Sequence, residues 1–313
     1  MSAQSSTTYG YFGPEGTFTH QALLTLPEAR EGQQLPFGTV EACLDAVRAG
    51  EVAAGLVPIE NSVEGGVSAT LDNLTYGAPL RIVREILLPV QFDLFARPGT
   101  RLAEVRQVLT HPHAAAQCRS WLARKLPNAT IATGGSTAAA AAAVADPKSG
   151  YDAAVSSRIA GELYRLETLA EEIADNDTAV TRFILLTRPG QVVPPTGADK
   201  TSLVLFMRAD RSGALLELLE QFASRGVNLC RIESRPTKTA FGSYCFAVDA
   251  EGHIDDERLA EALMGLHRVS ARVIFLGSFP AADASQTHVL EGTSNAAYDA
   301  ARHWLSTLRN PHR

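Results

Sequence analysis

Residues 176–187 read NDTAVTRFILLT. A polar run, Asn176, Asp177 and Thr178, leads to Thr181-Arg182-Phe183 and then to the apolar segment Phe183–Leu186. A short apolar run of this kind predicts a buried strand. The hydroxyl and guanidinium at its mouth admit two readings, an ordinary strand entry or one wall of an active site. The sequence on either side decides between them.

Upstream, from Tyr9 to Thr187, short apolar runs alternate with helical patterns. Strands are predicted at Tyr9–Phe12, Ala54–Ile59, Val105–Thr110, Thr130–Ala132 and Asp152–Val155. Helices are predicted at Thr17–Leu26, Val40–Ala49, His113–Leu126, Thr137–Val144 and Arg158–Tyr164. This alternation predicts an α/β fold with mostly parallel strands. The longer segment Arg81–Ala96, broken at Pro89, can carry the chain from one α/β lobe to a second. NDTAVTRFILLT is then the return crossing, which would turn Thr181 towards a cleft.

Downstream, RPGQVVPPTGADK (188–200) is rich in Pro and Gly, has no apolar period and reads as a linker. The pattern then resets. Strands at Thr201–Arg208, Val227–Glu233, Tyr244–Val248 and Arg272–Leu276, with helices at Gly213–Arg225 and Asp255–Val269, give the order βαββαβ of a ferredoxin-like module. The tail is polar until Asn295, after which Ala297, Tyr298, Ala301, Trp304, Leu305 and Leu308 fall near one helical face. The expected divisions are 9–188, a linker at 189–200, a second domain at 201–280 and a tail with a helix at 281–313.

A chain of 313 residues suits two or three domains. Hydrophobic residues at 45% and charged residues at 20% are ordinary for a soluble protein. A net charge of −6 advertises no nucleic acid or anionic membrane as partner. MSAQSSTTYG at the start has no basic residue and no apolar run, so no secretory leader is expected. No stretch is long and apolar enough to predict a membrane span. Cys43, Cys118, Cys230 and Cys245 are scattered, as expected of free thiols in a reducing cytoplasm, and suggest neither a disulfide framework nor a metal site.

Four turns share one design, a turn that opens a helix: GPEGTFTHQAL (13–23), VPIENSVEGGVSATLDNL (57–74), TGGSTAAA (133–140) and VSSRIAGEL (155–163). The first N–H groups of a helix lack internal partners and carry positive partial charge, so several such ends around one cleft can hold a small polyanion. None matches GxxxxGK[ST] or GxGxxG, and no nucleotide cofactor is expected. PIENS places Glu60 and Asn61 after an apolar strand, where α/β folds place ligands; a surface turn is the plain alternative. LTHPHAAAQC (109–118) places Thr110, His111 and His113 before a helix and Gln117 one turn inside it. His-x-His without a third clustered ligand reads as capping and packing rather than as zinc.

GPEGTFTHQAL, PIENSVEGG, HPHAAAQC and TRF, followed by a βαββαβ module with GALLELLEQF and ESRP, resemble in order the motifs of prephenate dehydratase with a C-terminal ACT regulatory domain. The resemblance covers about residues 9 to 279. It implies two α/β lobes resembling type II periplasmic binding proteins, with the substrate between them. It implies an enzyme, a hydro-lyase that takes prephenate to phenylpyruvate with loss of CO2 and hydroxide, and no metal or cofactor. Catalytic positions fall on Glu60, Asn61, Thr110, Gln117 and Thr181, and substrate contacts on Ser62, Ser136, Thr137, Arg182 and Phe183. Thr110 and Thr19 stand where the family more often has Ser.

The chemistry suits these residue types. Prephenate is a dianion that must lose one carboxylate as CO2 while its ring becomes aromatic, so the site has only to assist the leaving hydroxide and hold the geometry. A tight ion pair to the departing carboxylate would stabilise the ground state instead. Thr181 is expected to donate a hydrogen bond to the leaving hydroxyl, with Asn61, Gln117 and Thr110 orienting the substrate. Glu60 acts electrostatically or holds its loop. Arg182, alternating away from Thr181, either meets the side-chain carboxylate or buttresses the crossing, and alternation favours the buttress.

In the C-terminal module the resemblance implies L-phenylalanine as effector, bound at a domain–domain interface of a homo-oligomer, a dimer or a dimer of dimers. Gly213, Ala214 and Leu215 would meet its carboxylate, Glu233 its ammonium group, and Asn228, Leu229, Ser234, Arg235 and Pro236 would complete the pocket. The plain alternative is a dimerisation module. An RNA-binding reading, with Phe241, Tyr244 and Phe246 as stacking residues, fits poorly with a module that is not basic. For the whole chain the rivals are a ligand sensor without chemistry and the same chemistry on arogenate.

Overall fold

The computed structural model describes residues 7–63, 65–237 and 243–309; Phe241 lies outside them. The chain divides into two compact units, Met1–Thr70 with Ile86–Ile184, and Leu71–Glu85 with Leu185–Arg313. The first unit contains both α/β lobes. The second contains the C-terminal module and, unforeseen in the sequence, a segment from inside the N-terminal half.

The two lobes repeat one strand plan. In the first sheet the order is Gln33–Phe37, Thr8–Phe12, Ala54–Asn61, Val180–Thr187, Arg81–Pro89. In the second it is Thr130–Thr133, Gln107–Thr110, Ala153–Ser156, Asp93–Ala96, Glu167–Ala170. Each begins with three parallel strands in the order second, first, third. Each then takes in a strand that arrives along one of the two crossings. In the second sheet this strand, Asp93–Ala96, runs antiparallel to both neighbours, so the sheet is mixed rather than parallel throughout. NDTAVTRFILLT is thus the return crossing, with Phe183, Ile184 and Leu186 in the core.

The helices follow from their caps. Val40–Ala49 forms over the expected span because the Thr39 hydroxyl accepts from the Ala42 N–H and Gly50 closes it in the left-handed region. The helix expected over 17–26 ends at Leu23, and a second, Pro27–Glu31, starts at a proline suited to a first turn. The helix expected over 113–126 breaks at Cys118 into Pro112–Gln117 and Arg119–Lys125. The Asp175 carboxylate accepts from the Ser120 and Trp121 N–H groups and so caps the second piece. The turn of GPEGTF brings Gly16 (φ 84°) where a Cβ would lie 3.3 Å from Ala160 and 3.4 Å from Ala138. Ser157 Oγ donates to its carbonyl at 2.7 Å. This close approach ties the two lobes at one point.

The C-terminal module has the sheet order Leu229–Pro236, Tyr244–Glu251, Asp199–Phe206, Arg272–Pro280, all antiparallel. Helices Ala214–Ala223 and Glu257–Val269 bury Leu218, Phe222, Leu259, Ala262 and Leu266 against Leu203, Leu205, Phe246 and Val248. This is the ferredoxin-like arrangement expected from βαββαβ. Residues 71–85 belong to this unit. Arg81 donates to the Phe275 carbonyl at 2.8 Å, and buried Glu85 takes Lys200 Nζ and the Ala282 N–H at 2.8 Å each. The tail helix, Asn295–Arg309, buries no residue; Arg302 pairs with Glu257.

Candidate active site

A cavity of about 200 Å³ opens in the first unit, walled by both lobes and both crossings. Thr19 comes from the first motif, Asn61 from PIEN, Gln117 from HPHAAAQC, Thr137 from the alanine-rich helix, and Thr181 and Phe183 from the return crossing. Phe12, Phe18 and Phe92 make an aromatic wall, with Phe18 and Phe92 edge to face at 5.3 Å.

Asn61 Nδ2 donates to Thr181 Oγ1 at 2.8 Å, joining residues 120 apart in sequence. The Val63 N–H donates to Asn61 Oδ1 at 2.8 Å. That bond fixes the amide orientation, because only the NH2 group is left to face Thr181. Thr181 Oγ1 is therefore an acceptor on its Asn61 side, and its own proton is directed elsewhere. Ser62 holds the same edge in place: its N–H donates to the Val180 carbonyl, and its Oγ accepts from the Val180 N–H, both at 2.9 Å.

Gln117 supplies the complement. Its Oε1 is buried and meets no protein hydrogen-bond donor among the described residues. A buried acceptor without a donor is costly unless a ligand completes it, and this one lies in the cavity wall. The wall thus offers a hydroxyl donor at Thr181 and an amide acceptor at Gln117.

Other expected residues take other places. Thr110 does not line the cavity; it is wholly buried, and its Oγ1 donates to the Val155 carbonyl at 2.7 Å. Its hydroxyl proton is committed to joining two strands. Ser136 caps the helix Thr137–Ala145 through the Ala139 N–H at 3.0 Å. Arg182 is buried on the strand face opposite Thr181, with Nη1 3.8 Å from Glu60 Oε2. His111 and His113, read as caps, also line the cavity. His111 does cap: its Nδ1 accepts from the His113 N–H at 3.3 Å. Phe92 escaped the sequence reading, and Thr19 entered it only as a replacement for Ser in its motif, not as part of the cavity wall. The signal for Phe92 lay in symmetry, since a two-lobed domain has two crossings and QFDLFA opens the other one.

Burial sets the thiols. It pushes Cys43 up to about 12 and, with the Asp175 carboxylate nearby, Cys118 up to about 12. Both remain neutral and serve packing.

In the second unit, Gly213 begins its helix in the left-handed region (φ 82°), and Ala214 lines a cavity with Arg208, Glu217 and Arg268. No residue of 228–236 lines that cavity. Asn228 Nδ2 donates to Glu251 Oε1 at 2.7 Å, and Glu233 pairs with Arg231. Cross-strand pairing puts Ser234 opposite Phe246, and Glu233 and Arg235 opposite Ala247 and Cys245. Directly opposed residues share a sheet face. Ser234 therefore faces the helices, whereas Glu233 and Arg235 face the other side, and Leu215 packs on the helical side.

Residues 9–191 match the family model described as prephenate dehydratase, and residues 201–268 match that of the ACT domain. The chain is 47% identical over 300 residues to the prephenate dehydratase of Amycolatopsis methanolica, covering 96% of this chain and 97% of that protein. It is 49% identical to the Arthrobacter aurescens prephenate dehydratase solved with L-Phe, with TM-score 0.92 and coverage of 96% and 99%. A solved quorum-quenching acylase, GqqA, is 32% identical with TM-score 0.79, covering 88% of this chain and 98% of that one. With these motifs in one cavity wall and a family model matched over most of the chain's first two thirds, the chain belongs to the prephenate dehydratase family and carries an ACT domain behind the catalytic part.

Proposed function

We propose that the cavity converts prephenate to phenylpyruvate and that L-phenylalanine, bound at the ACT domain, controls the rate. The carrying observation is the bond from Asn61 Nδ2 to Thr181 Oγ1, which leaves the Thr181 proton for the cavity. The substrate's C4 hydroxyl accepts that proton's hydrogen bond and donates its own hydrogen to Gln117 Oε1. As the C1–carboxylate bond breaks, its electron pair enters the ring and the C4–oxygen bond departs with its pair. Prephenate dianion gives phenylpyruvate monoanion, CO2 and hydroxide, which a solvent proton converts to water. The aromatic wall accepts the flattening ring. Arg182, paired with Glu60, buttresses the crossing, which keeps a full cation off the departing carboxylate.

The expected effector residues lie on both faces of the sheet in one chain, Ser234 and Leu215 on the helical side and Glu233 and Arg235 on the other, and the strand Leu229–Pro236 is a sheet edge. Both features support a homo-oligomer in which a second copy completes the L-phenylalanine pocket through the ACT domains.

The test is incubation with prephenate or arogenate, each with and without L-phenylalanine, following phenylpyruvate and phenylalanine formation. Prephenate turnover that responds to L-phenylalanine is expected; no product from either substrate overturns the reading in favour of a sensor. Thr181→Ala should lower kcat by roughly 10²–10³, the usual loss for one pre-aimed donor, with unchanged circular dichroism, and Thr181→Ser should recover most of it. An acyl-amide hydrolysis assay beside it separates this activity from the one named for the 32%-identical neighbour.

A further inference from the structure

Two of the four ESRP residues are bound to a helix that follows the strand Ala54–Asn61 in the chain. This helix, Ser68–Tyr76, spans nine residues. Its entry is fastened to PIEN: Gly65 and Gly66 pair with Asn61 and Glu60, the Val67 N–H donates to the Ile59 carbonyl at 2.8 Å, and buried Thr70 Oγ1 donates to the Pro58 carbonyl at 2.6 Å. Its far half is fastened to the effector strand. Arg235 donates from Nη2 and Nε to Asp72 Oδ1 at 2.8 and 3.3 Å, and Tyr76 Oη donates to the Pro236 carbonyl at 2.6 Å. Asp72 and Tyr76 are four residues apart, so one helical face takes both bonds. Cys245 Sγ reaches the Arg235 carbonyl at 3.5 Å and backs the joint.

We infer that Asp72 and Tyr76 are positioning residues through which the effector strand acts on the catalytic loop, and that Arg235 and Pro236 serve as this joint rather than as contacts to the effector. The helix is short and hydrogen-bonded throughout, so a shift of its far half moves its first turn. Asn61, which aims Thr181, sits at the end of the strand that the first turn grips. A change in strand Leu229–Pro236 on effector binding therefore reaches the leaving-group donor along one continuous element. The inference rests on the proposal that L-phenylalanine binds at the ACT domain.

The experiment uses the full-length chain and the variants Asp72→Asn, Tyr76→Phe and both together, with Asp72→Glu as the conservative control. It measures kcat and KM for prephenate, L-phenylalanine binding by calorimetry, and rate against L-phenylalanine. Allosteric couplings usually amount to about 5–150-fold; in the double variant the L-phenylalanine effect should fall to less than about twofold, with kcat and L-phenylalanine affinity each kept within about threefold. Asp72→Glu should keep most of the response, and it stands in should the double variant fail to fold, in which case its response is compared with that of Asp72→Asn. A full L-phenylalanine response in the double variant, equal responses in Asp72→Glu and Asp72→Asn, or loss of binding itself overturns the inference. A wild-type chain inert towards prephenate overturns the functional reading on which it rests.

Discussion

At the scale of single residues, two threonines from similar-looking motifs have opposite duties. Thr181 lines the cavity with its hydroxyl turned by Asn61, whereas Thr110 spends its hydroxyl on the Val155 carbonyl inside the second sheet. Thr110→Val should therefore cost about 1–3 kcal/mol of stability, the penalty for a buried carbonyl left without its donor, seen as a lower denaturant midpoint. Its kcat should stay within about threefold of wild type, far from the loss expected at Thr181. A sequence cannot make this distinction, because both threonines end or enter a strand beside a motif residue. What separates them is which way each side chain points.

At the scale of elements, strands with strong apolar patterning were legible and edges were not. Ala54–Asn61 and Val180–Thr187 were visible because buried central strands are nearly continuous apolar runs. Gln33–Phe37 was not, since QQLPF carries a proline and a polar start that only an edge strand tolerates. Glu167–Ala170, also an edge, has two exposed residues and little pattern. Among the site elements, the alanine-rich helix was legible, and the structure assigns its cap to Ser136. Ser136 carries that cap and lies outside the cavity wall, so Ser136→Ala should lower stability by about 1 kcal/mol while Ser136→Asp holds it, read by thermal melting. The strand Leu229–Pro236 was legible as a strand, but its sidedness needed the register with Tyr244–Glu251.

At the scale of the whole molecule, the thiols offer a map of what is sealed. Cys43, Cys118 and Cys245 are buried and Cys230 is exposed on the edge strand. Native protein should show no reaction of the first three with Ellman's reagent, and all four should react in denaturant. The rate at Cys230 then reports whether a second copy covers that edge. The two-unit division carries a further consequence, for biosynthesis. Residues 71–85 belong to a unit otherwise built from Leu185 onwards, and Arg81 finds the Phe275 carbonyl 194 residues later. Leu80 and Ile82, buried in the finished protein, leave the ribosome long before the strand Arg272–Pro280 exists. A nascent chain must therefore carry an apolar segment without its permanent neighbours through most of its synthesis, a stage at which chaperones find their clients.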